Sequence, residues 1–504
     1  MDTAAAPAPA AYTALEDRFA RISRIGDALG ILHWDMQTTM PDGAAAGRGE
    51  AVATLEVLSH ELLTDGRVGD LLAEAETADG LDAWQQANLR EMRRAWRNAE
   101  VLPADLVEAR SRAVSACEMV WRSARAEADF AKLLSSMTEV LRLEREAGAA
   151  KAAATGLSLY DALLDDYEPG GRSARIDAMF DELAGFLPDF TAAVLERQAA
   201  RPAPIVPEGP FPAAAQQALG RRLMQAVGFD FTRGRLDVSL HPFCGGADDD
   251  VRITTRYDEA DFLRALMGVL HETGHAMYEQ GRPRAWRGQP VGDARGMVLH
   301  ESQSLLVEMQ VCRDRPFLGF AAPLMAEAFG GAGDAWEVDN LCRLSTRVSR
   351  GFIRVDADEV TYPAHVILRY RLERALLSGE MELADLPGAW NEGMAELVGV
   401  VPPDDRLGCL QDIHWPGGSW GYFPTYTLGA MAAAQLFRAA RDQNGEIEPA
   451  LARGDFAPLM AWLRANVHEQ GSLMTTDEVM EAATGAPLGT AAYIRHLKAR
   501  YLGD

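Results

Sequence analysis

The amino-acid sequence predicts a mainly α protein, one large helical domain with a small β-sheet beside its central helix. Over most of the chain, apolar residues recur three and four positions apart, the period of helices that bury one face. A single passage, 234–257, is β-branched with some alternation, the pattern of short strands. No apolar run approaches the length of a membrane span. With 48% hydrophobic and 24% charged residues, the 504-residue chain has the composition of a soluble globular protein and enough length for an extensive core.

Taken in order, residues 1–11 form an Ala/Pro leader expected to be disordered, with neither the basic region nor the apolar stretch of a signal peptide. Amphipathic helices are predicted over 15–36, 129–154 and 175–200. The proline-rich stretch 201–215 reads as a connector and a candidate subdomain boundary within one domain spanning 12–504. Two strands follow, 234–246 and 249–257, with "CGGADD" between them suited to a turn. Next comes a helix over 258–281, which Asp258 can cap and Gly281 can end. A second helix covers 296–311, and a glycine-, proline- and aromatic-rich passage, 408–429, interrupts the C-terminal helices.

A net charge of -25 opposes a phosphate backbone and excludes a nucleic-acid partner. Cys117, Cys244, Cys312, Cys342 and Cys409 are odd in number and widely spaced, which suggests neither a disulfide framework nor a thiolate metal site. They fit a reducing cytoplasm.

The chemistry starts in "LMGVLHETGHAMYEQG" (266–281). On a helix, His271 and His275 share one face and can offer ring nitrogens to one cation. Glu272, about 100° around from His271, can reach a water on that cation and serve as general base. Gly268 and Gly274 each cost the helix about 1 kcal/mol relative to alanine, which suggests close approach of a backbone or ligand. Catalytic zinc usually takes three protein ligands, and "GMVLHESQSLLVEMQV" (296–311) offers Glu301 on an otherwise apolar helix. His300 is the alternative, because adjacent residues point about 100° apart and only one can face the metal.

Other segments carry residues that could complete such a site. The strand "VRITTRY" (251–257) is expected to lie at a sheet edge and pair with an extended substrate backbone. Arg354 is the candidate for holding a free carboxylate, with Arg252 in reserve; Asp356 or Asp358 could instead pair with Arg354. His414, Tyr422 and Tyr426 are candidate oxyanion donors on a loop whose glycines would allow close approach to the metal. His365 reads as a satisfied core histidine, and Trp34 and Asp35 as packing and capping residues.

With these segments the chain resembles the carboxypeptidase Taq family of metallocarboxypeptidases. H-E-T-G-H (271–275) is followed by H-E-S-Q-S (300–304), and "HPF" (241–243), which includes His241, by "DVRIT" (250–254). "IRVDAD" (353–358), "GCLQDIHW" (408–415) and the early "HWDMQTTMP" (33–41) extend the resemblance over nearly the whole chain. It implies zinc on His271, His275 and Glu301, with cobalt able to substitute, and Glu272 as base. It further implies a deep groove, a cytoplasmic homodimer, and release of single residues from free C-termini of peptides with broad side-chain tolerance. The alternatives are an oligopeptidase that cuts inside short peptides and an inactive helical binding protein.

Overall fold

The computed structural model describes residues 8–503, so all but the end of the predicted leader lies outside the described residues. The first helix, Ala10–Thr38, already includes the leader's last two residues, and Ala11 and Tyr12 are buried. The expected helices at 129–154 and 175–200 appear as Phe130–Thr155 and Ser173–Ala199.

Two apolar cores organise most of the helices, beside a third small cluster of Leu106, Leu143 and Ala147. A small one joins the helices Ala10–Thr38, Gly66–Glu76 and Ala83–Glu100 through Tyr12, Phe19, Leu72, Leu89 and Met92. The large one runs from the helix Ala104–Glu127 to the C-terminal region. The connector ahead of the helix Ala213–Val227 does not divide cores, because Phe180 and Leu183 before it and Phe262 and Leu270 after it share the large cluster.

The sheet has three strands where two were expected. They are β1 (Gly234–Val238), β2 (Cys244–Ala247) and β3 (Asp250–Thr255), in the order β1-β3-β2. The "CGGA" assigned to a turn is itself β2, antiparallel to β3, while β1 runs parallel to β3 with Leu236 opposite Ile253. Strand β3 therefore sits in the middle with both edges paired. The expected substrate rail at 251–257 is corrected on that ground, since a strand paired on both sides has no free backbone groups to offer a peptide. Strand β2 packs on the first helix, and Gly30 and Gly246 permit the contact because a Cβ on Gly30 would collide with the Gly246 carbonyl.

The central helix, Phe262–Gly281, is capped by Asp261, whose carboxylate accepts from the Arg264 N–H, rather than by Asp258. It ends at Gly281 as expected. It is buried along most of its length between β3, the helix Ala213–Val227 and the helix Gly296–Leu305, with the polar His271, Glu272 and His275 on one stretch.

Candidate metal centre

Two helices and a widened turn assemble the centre. The central helix supplies His271, Glu272 and His275, and the helix Gly296–Leu305 supplies Glu301. Gly274 lets them approach, because a Cβ there would lie 2.6 Å from the Ser304 Cα. The expected close approach is thus found at Gly274 and not at Gly268, whose surroundings are open. Beyond Leu305 the chain continues as a π-helix, Leu306–Cys312, which presents Glu308 to the back of His271.

Donor atoms of His271, His275 and Glu301 lie within 4.8 Å of one another, the spacing for one shared cation. Glu301 Oε2 stands 3.4 Å from His275 Nε2 and 3.9 Å from His271 Nε2. The other ring nitrogens are held from behind. His275 Nδ1 donates to the His300 carbonyl at 3.0 Å, and His271 Nδ1 lies 3.0 Å from Glu308 Oε2. Such partners fix ring orientation and raise ligand basicity. Arg313 in turn donates to Glu308 at 2.6 Å. His300 is a support rather than a ligand, for its ring stacks on His275 with centroids 4.6 Å apart and its Nε2 turns to Glu279.

The electrostatics favour a cation. Burial alone would lower His271, yet Glu301, Glu308 and Glu272 outweigh it and raise the imidazole to about 10. Burial dominates at His275 and lowers it to about 4, leaving a neutral ring with an available lone pair. Burial pushes the Glu272 carboxyl up to about 7, with Glu301 and Glu308 adding to it against the opposing pull of His271 and His300. A pocket that raises one histidine this far is one that welcomes positive charge.

A second polar wall stands within reach of the Glu301 charge. His414 Nε2 and Tyr426 Oη are 3.0 Å apart, and the Tyr422 and Tyr426 rings meet edge to face at 5.1 Å. Burial raises both phenols, and the Glu301 charge contributes to each. Arg354 is buried and lies over the Tyr426 ring at 4.6 Å. It is paired with neither Asp356 nor Asp358. Its Nη2 donates to Asp412 at 2.9 Å, while Asp356 pairs with Arg264 and Asp358 accepts from the Val360 and Thr361 N–H groups. Asp412 also binds the fully buried Arg369 at 2.6 Å.

The remaining candidates lie elsewhere. Arg252 is tied to Asp250 and stacks over Trp34 at 4.3 Å, and His241 is exposed on the loop before β2. Trp34 is buried packing, as expected, and Asp35 accepts from Thr39 and Arg48. His365 is fully buried in the core, as expected, and burial lowers its imidazole to about 3. The loop glycines do not face the metal. A Cβ on Gly418 would meet Val114 and Glu144, and one on Gly421 the backbone of Leu163 and Leu164.

Sequence reasoning missed Glu308, Arg369, Asp412, Gly429 and Tyr362, whose hydroxyl accepts from Arg354 Nη1 at 3.4 Å. Glu308 follows Glu301 by seven residues, which is two helical turns and a usable signal. Gly429 makes the approach assigned to the loop, since a Cβ there would lie 2.8 Å from Glu301 Cβ.

Comparison with known proteins agrees with this arrangement. Residues 14–501 match the model of the family described as carboxypeptidase Taq (M32) metallopeptidase. Thermostable carboxypeptidase 1 of Thermus thermophilus is 38% identical, over 93% of this chain and 94% of its own. The namesake from Pyrococcus furiosus is 34% identical, over 96% and 97%. Trypanosoma cruzi metallocarboxypeptidase 1 superposes with a TM-score of 0.95 at 43% identity, covering 97% of this chain and 99% of that one. With the family model running through both metal helices and the His/Tyr wall, the chain belongs to the carboxypeptidase Taq (M32) family and is a metallocarboxypeptidase.

Proposed function

We propose that the enzyme is a zinc-dependent carboxypeptidase that removes single residues from peptides with a free C-terminal carboxylate, with broad side-chain tolerance. The observation that carries this is the His271–His275–Glu301 group beside the buried carboxylate of Glu272. Two imidazoles and one carboxylate are a donor set of catalytic zinc sites, and cobalt fits the same donors. Zinc held there would polarise the scissile carbonyl and acidify the attacking water.

The protein's own groups supply the rest. Glu272 takes the proton of the attacking water and passes it to the leaving amine. The hydroxyls of Tyr422 and Tyr426, with His414, offer donors to the developing oxyanion. Arg354 and Arg369 share one carboxylate, Asp412. That leaves one buried positive charge uncompensated, a natural seat for a substrate carboxylate through Arg354. Arg252 and His241 are candidates for contacts further along the peptide in a deep groove.

The five cysteines are free, which supports a reducing, cytoplasmic setting, and no described helix is long and apolar enough to cross a membrane. Assembly as a homodimer rests on the family resemblance. Matched peptides with free and amidated C-termini, followed by mass spectrometry with and without chelator, test the function. Stepwise loss of the last residue from the free form alone, abolished by chelator, is expected. Equal cleavage of the amidated form would replace this function with that of an oligopeptidase.

A further inference from the structure

A cavity of about 650 Å³ opens between the helix Ala83–Glu100 and the 165–170 loop, with Arg295 in its wall. None of His271, Glu272, His275 and Glu301 lines it. Four of its arginines, Arg90, Arg93, Arg94 and Arg97, come from that single helix. Their spacing of three, one and three residues puts them on one face. In a chain of net charge -25, five lining arginines are a local reversal of sign.

The acids in the wall do not cancel them all. Glu76 is held by Arg93 through two hydrogen bonds of 2.8 Å. Glu91 is held by Arg94 at 2.9 Å and by the buried Arg295 at 2.8 Å. Asp165 accepts from the Gly170 N–H at 3.0 Å, and Asp79 stands exposed at the rim. Arg97 has no ion pair or side-chain hydrogen bond among the described residues, and the Nε atoms of Arg97 and Arg295 are buried without partners. Desolvated guanidinium N–H groups left unmatched carry a cost that an anion would remove.

We propose that this cavity is a ligand site for a dianionic phosphate group, most of its volume being filled by an organic body esterified to that phosphate. A phosphate monoester carries a charge of about -1.5 to -2 near neutral pH, and arginine forks bind its oxygens in pairs. Free phosphate would leave most of the space empty. Leu81, Leu89 and Pro169 provide apolar wall for a ring or chain, and the volume lies within the usual range for small-molecule sites. The site also adjoins the metal helices. The Arg295 N–H donates to Tyr278 Oη at 3.1 Å, and Gly296, the next residue, begins the helix that carries Glu301.

Calorimetric titration of the metal-loaded enzyme with adenosine monophosphate, adenosine and inorganic phosphate tests the site. Saturable binding of the monophosphate, none of adenosine, and affinity reduced at least about tenfold in Arg97→Gln and Arg94→Gln are expected. Peptide hydrolysis without added nucleotide should be unchanged in Arg97→Gln, which also reports that the variant is folded. If inorganic phosphate binds as tightly as the ester and with the same Arg97 dependence, the phosphate site stands and free phosphate is its source. Equal binding of the monophosphate by wild type and both variants, which would place it on the metal, overturns the proposal. So does the absence of binding at millimolar concentration.

Discussion

The metal cradle and the His/Tyr wall lie close together with opposite charge imbalances. In the cradle, Glu272, Glu301 and Glu308 surround two histidines, with Arg313 the guanidinium on Glu308. In the wall, Arg354 and Arg369 flank the single carboxylate of Asp412. Burying unequal charge is costly unless a counter-ion arrives. On the proposed function, one side would be completed by a cation and the other by an anion. That pairing suits a reaction on a carbonyl next to a terminal carboxylate.

The two sides are also built differently. The cradle comes from two helices close in sequence, with side chains held at fixed helical spacing. The wall draws Arg354, Tyr362, Arg369, Asp412, His414, Tyr422 and Tyr426 from separate segments. Disturbing each side should therefore give distinct symptoms.

The largest effect is expected in the cradle, at the base. Glu272→Gln should lower kcat by about 10²- to 10⁴-fold while bound metal, measured by elemental analysis, stays at the wild-type level. Loss of metal together with activity would mean that Glu272 serves the ion and not the proton. In the wall, Asp412→Asn strands two buried guanidinium groups. Removing one partner of a buried pair costs about 3–5 kcal/mol, so a large fall in unfolding free energy in denaturant titrations is expected, with metal content unchanged. A variant as stable as wild type would show that the two arginines do not depend on Asp412. The smallest of the three effects sharpens the boundary between the regions. Glu308→Gln, behind His271, should weaken metal affinity about 10- to 100-fold in competition with a chelator, leaving KM for metal-saturated enzyme near the wild-type value.

Much of the cradle was legible. The positions of His271, Glu272 and His275 follow from helical periodicity, and Glu301 from an acid on an apolar helix. The helix start was misplaced because Asp258 and Asp261 are both plausible caps and local sequence does not rank them. The sheet was half legible. The region was found, but "CGGA" has turn composition, and its pairing with β3, like its close approach to the first helix at Gly30 and Gly246, is made by the folded backbone. For Arg354 the nearest acids in sequence were the wrong ones. Its partner lies 58 residues on, where no local rule points.

By itself, the sequence determined what local geometry controls: the helices, the face shared by the two histidines, the glutamate beside them, and an acid suited to complete the set. Only the tertiary structure decided which charges compensate which. It set Glu308 behind His271, gave Asp412 two arginines, turned His300 toward Glu279, and brought Gly429 against Glu301. A helix repeats its geometry every 3.6 residues whatever surrounds it, so ligand spacing can be read along the chain. Charge compensation depends on which elements are packed together, and that is a property of the folded molecule.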